Sequence, residues 1–205
     1  MYQNSNSLSD RVLLALNLLV KISVVLLILL PLISPHLPQF QGKAMGARMI
    51  MYPIATLIVP FLWLILGKRE RFPHIIDILF VLPFLIDTLG NTLNFYNTTE
   101  YFDRCAHYLN WLLITIAFGS AVSVLSISRL NVLGLSIGFG SATHILWEIG
   151  EYIVMMMGAS GLQLTYNDTI DDLILSFLGT LTASILVVTV FWKAKLMPDA
   201  NSLKN

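Results

Sequence analysis

Charge is scarce in this sequence. Lysine, arginine, aspartate and glutamate make up 12% of its 205 residues, half of the roughly 25% usual for a soluble domain. With 56% apolar residues and a mean hydropathy of +0.76, a 22.9 kDa chain cannot hide its apolar surface from water by folding into a globule. The deficit excludes a water-soluble domain and points to a membrane protein. Cysteine is nearly absent as well. Cys105 stands alone, which excludes an intrachain disulfide and any cysteine-based metal cluster. Repeats, low-complexity tracts and nucleic-acid motifs are missing too, so no nucleic-acid partner is expected.

In their place are long apolar runs. About 20 residues of helix cross the hydrocarbon layer, and six segments qualify, near residues 11–32, 49–66, 74–93, 106–127, 132–157 and 171–192. The expected fold is all-α: a polytopic membrane helical bundle with six transmembrane helices, built as one integral-membrane domain over residues 1–205. The first run is far longer than a signal-peptide core and is expected to stay in place. Basic residues orient the bundle, because they accumulate in short cytoplasmic segments. One side carries Arg11, Lys68, Arg69, Arg71, Arg129, Lys193, Lys195 and Lys204, and the other only Lys43, Arg48 and Arg104. Lys21 falls inside the first span. Eight against three puts both termini in the cytoplasm. Ser7 and Ser9 are candidate caps for the first helix, and Pro73 suits the first turn of the third. Pro53 and Pro60 should bend or loosen the second.

Acidic residues follow a different rule. Asp10, Glu70, Asp77 and Asp199 belong to the cytoplasmic half. Asp87, Glu100, Asp103, Glu148, Glu151, Asp168, Asp171 and Asp172 all fall in the outer half. Helical spacing groups them further: Asp87 with Asn91 and Asn94, Asp103 with His107, and His144 with Glu148 and Glu151. At about 1.5 Å per residue, His144 lies nearly 20 Å below the outer end of its helix, Glu148 roughly 13 Å and Glu151 about 9 Å. An ionisable group at such depth costs at least about 2.5–3.5 kcal/mol on insertion scales, so these groups should turn away from lipid. Gly134, Gly138, Gly140, Ser141 and Ala142 give the same fifth span a small-residue face that lets a neighbour approach closely. This makes it the expected central helix, crowded at Gly138. At the start of the sixth span, Thr169 and Asp172 have capping-box spacing. Asp172, Ser176 and Gly179 also form a polar and small stripe that would face the glutamates. Both readings stay open.

The chemistry suggested is that of carboxylates and imidazoles. Glu148, Glu151, His107, Asp103 and Asp172 are the candidate catalytic groups, suited to general acid–base work. His107, His144, Glu148 and Glu151 are candidate ligands for a divalent metal ion. The pattern is not His-Glu-x-x-His, so a zincin-type protease has no support. The expected arrangement is one outward-opening polar cavity joining His107, His144, Glu148, Glu151 and Asp172, with Asp87 and Asp103 lining or backing it. Such a site would act on a lipid-linked or envelope substrate, or on another small polar one. Two alternatives use the same residues: a proton- or cation-coupled transporter, and an accessory protein whose polar core is structural. Membrane lipids are the one partner common to all three.

Three blocks of sequence carry a resemblance. They are Tyr101 to Tyr108, Trp147 to Tyr152, and Asp168 to Asp172 followed by Leu173, Ser176 and Gly179. Together they resemble the YjdF-like family of uncharacterised bacterial inner-membrane proteins, over roughly Ile75 to Val190. The resemblance implies a multi-pass protein of the cell inner membrane and brings no established reaction. More distantly, Asp103 with His107, Glu148 with Glu151, and Asp172 with Ser176 and Gly179 are similar to blocks of VanZ-like membrane proteins. Ser176 stands where those carry asparagine, and Ala183 where a further glycine is looked for. No resistance activity is carried over.

Reporter fusions test the orientation. Those after residues 42, 97 and 162 are expected outside the cytoplasm, and those after 70 and 129 inside. The reverse pattern would overturn it.

Overall fold

Hydrocarbon offers a backbone no water to bond with, so each apolar run satisfies its own amides and carbonyls by closing into a helix. The computed structural model of the chain describes residues 8–66, 71–162 and 164–192. Six helical stretches in it are long and apolar enough to cross a membrane. The first combines α1 (Leu8–Ile28) with a short continuation, α2 (Leu30–Ile33). Next come α3 (Met45–Ile65) and α4 (His74–Thr92). A single-turn α5 (Phe95–Thr98) leads into α6 (Phe102–Val122). Then α7 (Arg129–Met156) precedes α8 (Tyr166–Leu186), which ends in a π-helical turn, Val187–Phe191. No strand occurs among the described residues. The chain is a six-helix polytopic membrane bundle.

Several boundaries differ from the sequence expectation, each for a local reason. The second span begins at Met45, before Met49, which puts Arg48 inside a membrane helix. The fourth runs over Phe102–Val122, not 106–127. It stops where the Ser123 hydroxyl donates to the Ser120 carbonyl at 2.7 Å. The sixth opens at Tyr166, before Asp171, because the Thr165 hydroxyl accepts the Asp168 amide at 3.2 Å. Thr165 is therefore the cap, and the Thr169–Asp172 pair lies within the helix. Ser9 likewise sits inside α1. Both Pro53 and Pro60 lie within α3, which runs on through them. Ser7, Lys68, Arg69, Glu70, Lys193, Lys195, Asp199 and Lys204 lie outside the described residues.

Lys21 is matched within the bundle. Its ammonium meets Asp77 of α4 at 2.5 Å. One turn earlier, Asn17 donates to the same carboxylate at 2.9 Å and to the His74 carbonyl at 3.3 Å. This cluster ties α1 to the first turn of α4.

The axis of the bundle is α6, not the fifth span as expected. It packs on α4, α7 and α8, most extensively on α8. The small residues that matter are those at its interfaces. A Cβ on Gly179 would collide with the Tyr108 carbonyl oxygen, so only glycine lets α8 approach the α6 backbone this closely. By contrast, a Cβ on Gly138 would meet nothing within 4 Å. That corrects the crowding expected there; Gly138 lies on a face of α7 turned away from its neighbours. In detergent, Gly179→Ala should destabilise the bundle by about 1–3 kcal/mol, the usual cost of overpacking. Gly138→Ala should stay within about 0.5 kcal/mol of the parent, as an open surface position does. Thermal unfolding of the two variants checks the order, and equal losses would overturn it.

Candidate metal centre and cavity

The close approach of α8 to α6 brings two polar pairs face to face. Asp103 and His107 lie one turn apart on α6, and Asp172 and Ser176 one turn apart on α8. The His107 ring has a different partner on each edge. Its Nδ1 lies 3.2 Å from the Ser176 hydroxyl. Its Nε2 lies 3.8 Å from Asp103 Oδ1 and 3.7 Å from Asp172 Oδ1. One ligand atom from each of Asp103, His107 and Asp172 falls within 4.8 Å of the other two. His107 is 7% exposed and Asp172 2%, while Asp103 is half-buried. Trp111, one turn further along α6, stacks on the imidazole at 5.7 Å with 9° between the rings.

Either neutral tautomer of His107 satisfies the Ser176 contact, and cation binding at Nε2 requires the one protonated at Nδ1. With Nδ1–H donating to Ser176, Nε2 turns its lone pair toward two carboxylates. Three acceptors then converge with no donor among them, and both Nε2–carboxylate distances exceed the 2.7–3.2 Å range of a hydrogen bond. A cation resolves such a group. Two metal–ligand bonds of about 2.0–2.2 Å together span both His–Asp separations. A hydrogen bond from the far ring nitrogen is also what orients a metal-bound histidine. The donor set suits manganese, zinc or iron.

The other candidates surround this group at different distances. Glu148 of α7 places Oε1 3.9 Å from His107 Nδ1, on the side away from the two aspartates. It is 8% exposed, and neither of its oxygens has a hydrogen-bond partner among the described residues. His144, one turn along α7, is buried and meets Trp111 edge-on at 6.1 Å. Glu151 lies elsewhere, 3.9 Å from Arg48 Nη2. The candidates therefore separate into a cluster around His107 and a carboxylate beside Arg48.

Burial overturns the outward-facing site. The group that can hold a metal is enclosed by α6, α7 and α8, under the Trp111 ring. Helical periodicity groups side chains on one face but does not give the neighbour that covers them. A cavity of about 1210 Å³ adjoins the group, and Asp87, Asp103, His107, Glu151 and Asp172 all line it. It continues far beyond them along mostly apolar walls, so it is not the polar cavity expected.

One family matches residues 16–193, described as Predicted membrane protein (DUF2238). The chain belongs to this family. Neither the curated proteins nor the solved structures give a match. The family's span takes in every residue of the candidate centre and of the network beside it.

That network is the part of the site that sequence reasoning missed. Arg48 Nε donates to Asp87 Oδ2 at 3.0 Å. Tyr52, one turn further along α3, donates to the same oxygen at 2.6 Å. Tyr96 of α5 donates to Asp87 Oδ1 at 2.9 Å, and Arg48 also reaches the Lys43 carbonyl. The available signal was the Arg48–Tyr52 spacing of four, lost once the span was started at Met49. Lys43 itself is buried beneath Tyr96, with its ammonium 5.7 Å from the ring centre. Burial pushes that ammonium below its ordinary range, offset in part by Asp103. Burial and the Asp87 charge both raise the Tyr96 phenol well above the usual tyrosine value. Asp87→Asn should cost about 3–5 kcal/mol of stability, because it leaves the Arg48 charge buried and unpaired. Arg48→Met combined with Asp87→Leu should recover most of that loss. Chemical denaturation in detergent checks both, and a neutral Asp87→Asn would contradict the pairing.

Proposed function

We propose that the chain is a membrane enzyme built around a buried divalent cation, held by Asp103 and His107 of α6 and Asp172 of α8. One observation carries this reading: one ligand atom from each of these three residues lies within 4.8 Å of the other two in the bundle interior. A set of three protein ligands also leaves a coordination position free, as catalytic sites do, and all three residues line the large cavity. In such a site the cation polarises a bound oxygen or lowers the pKa of a bound water. Ser176 and Glu148 flank Nδ1 and act as positioning residues for the His107 ring. Glu151 lines the cavity and is the candidate base. The blocks that resemble YjdF-like and VanZ-like proteins hold these same residues. The resemblance supports a shared site without naming a reaction.

The test is metal binding by the purified protein. Mn²⁺ titrated into the chelator-stripped chain in detergent should bind with a stoichiometry near one, followed by the loss of the free-ion electron paramagnetic resonance signal. Asp172→Asn and His107→Gln should abolish that site. Ser176→Ala should weaken it by about 10–100-fold, the usual effect of losing a partner that orients a ligand. Absence of tight Mn²⁺ and Zn²⁺ binding in the parent, with the fold intact, would overturn the metal reading and leave a structural polar core.

A further inference from the structure

We propose that the cavity beside the metal group binds a membrane phospholipid by one hydrocarbon chain, with the phosphate held at the polar end by Lys43. The observation is the division of the cavity along its length. Near one end it is lined by Lys43, Arg48, Asp87, Asp103, His107 and Asp172. Beyond Trp111 the walls become mostly apolar, formed by Ile58 and Leu62 of α3, Phe84 of α4, Ile114 and Ala121 of α6, and Phe139 of α7, with Arg71 lining the cavity as well. Along α6 the stretch from Trp111 to Ala121 covers about 15 Å at 1.5 Å per residue. Val124 and Leu125 carry the lining further, so the slot is longer than half of the ~30 Å hydrocarbon layer and long enough for one lipid chain. A cavity of about 1210 Å³ also exceeds the roughly 300–1,000 Å³ of sites for ordinary small molecules.

Access from the bilayer follows from how α3 packs. Its main contacts are with α1 and α4, and the cavity lies between its lower half and α6 and α7. Ile58, Leu62 and Leu66 line that space while 38%, 45% and 76% exposed. On the opposite side Val124 and Leu125, 45% and 54% exposed, line it as well. In a membrane such surfaces meet lipid chains. This apolar, partly exposed wall is the side from which a lipid chain would enter the slot.

The polar end selects the headgroup. Arg48 is paired with Asp87 and Arg104 with Asp171. Lys43 lines the cavity, and among the described residues no carboxylate lies within ion-pair distance of its ammonium. Asp103, Asp87 and Glu151 act on it from beyond that distance, and a phosphate would give it a direct partner. That the bound lipid is also the substrate rests on the metal reading; that it binds does not.

Tryptophan quenching tests this in nanodiscs. Trp111 lines the cavity and is 4% exposed, so lipids around the outside of the bundle do not reach it. In a chain keeping only this tryptophan (Trp63→Phe, Trp147→Phe, Trp192→Phe), phosphatidylglycerol brominated in its chains should quench the emission. Ala121→Phe or the milder Ala121→Leu should remove that quenching while circular dichroism stays unchanged. Brominated phosphatidylcholine should require a higher mole fraction, and Lys43→Met should abolish the difference. Asp172→Asn should leave the quenching in place, which separates failure of the metal reading from failure of this one. If the tryptophan replacements prevent folding, native mass spectrometry of the otherwise unaltered chain decides. One retained phosphatidylglycerol, lost in Ala121→Leu, is expected. An unquenched Trp111, or quenching or lipid retention indifferent to the Ala121 variants, would overturn the chain slot. Equal quenching by the two lipids would overturn the role of Lys43.

Discussion

A charged side chain inside hydrocarbon has to find an opposite charge, a hydrogen-bond donor or a cation, because lipid offers it nothing. The arrangement of this bundle follows from that requirement. Toward one end, Lys21 and Asn17 of α1 converge on Asp77 of α4. Toward the other end, Arg48 and Tyr52 of α3 converge with Tyr96 on Asp87, also of α4. In both places a buried carboxylate is met by a basic residue and by neutral donors. Pairs of this kind seldom add net stability over apolar packing, but removing one partner is costly. They fix which helices lie beside α4 and in what register.

Among the described residues, no lysine or arginine is paired with the third buried group. Asp103, Asp172 and Glu148 gather around His107, whose nearest donor or acceptor besides the acids is the Ser176 hydroxyl. Acids outnumber bases here, and both oxygens of Glu148 lack a hydrogen-bond partner among the described residues. This imbalance distinguishes a site from a structural ion pair. It depends in turn on packing. Gly179 and Gly140 admit α8 and its Thr180 to the core so closely that added Cβ atoms would collide. That closeness puts Asp172 and Ser176 within reach of the imidazole. Where α3 instead stands off from α6 and α7, the large cavity remains.

Much of the fold was legible in the sequence. Apolar runs of about 20 residues give helices in a bilayer with little competition, since an unpaired backbone cannot exist there. Helical spacing likewise grouped Asp103 with His107, which the structure keeps within 3.8 Å of each other. The errors arose where a boundary or a neighbour decided the matter. Starting the second span at Met49 left Arg48 in a loop and hid its network. Reading Gly138 as an interface residue took smallness for contact, although its face of α7 is open.

Length, hydropathy and periodicity thus determined that there are six membrane helices, and which acidic and histidine side chains share a helical face. These are properties of one helix at a time, fixed by backbone hydrogen bonding and a repeat of about 3.6 residues. Only the tertiary structure decided which helix is central, that the polar group is enclosed instead of outward-facing, and that Ser176 rather than Glu148 is the nearer partner of His107 Nδ1. Those outcomes depend on the rotation of each helix about its axis and on how closely two helices approach. Both are set by side-chain packing between segments that can lie 74 residues apart in sequence, a relation that periodicity within a single helix does not encode.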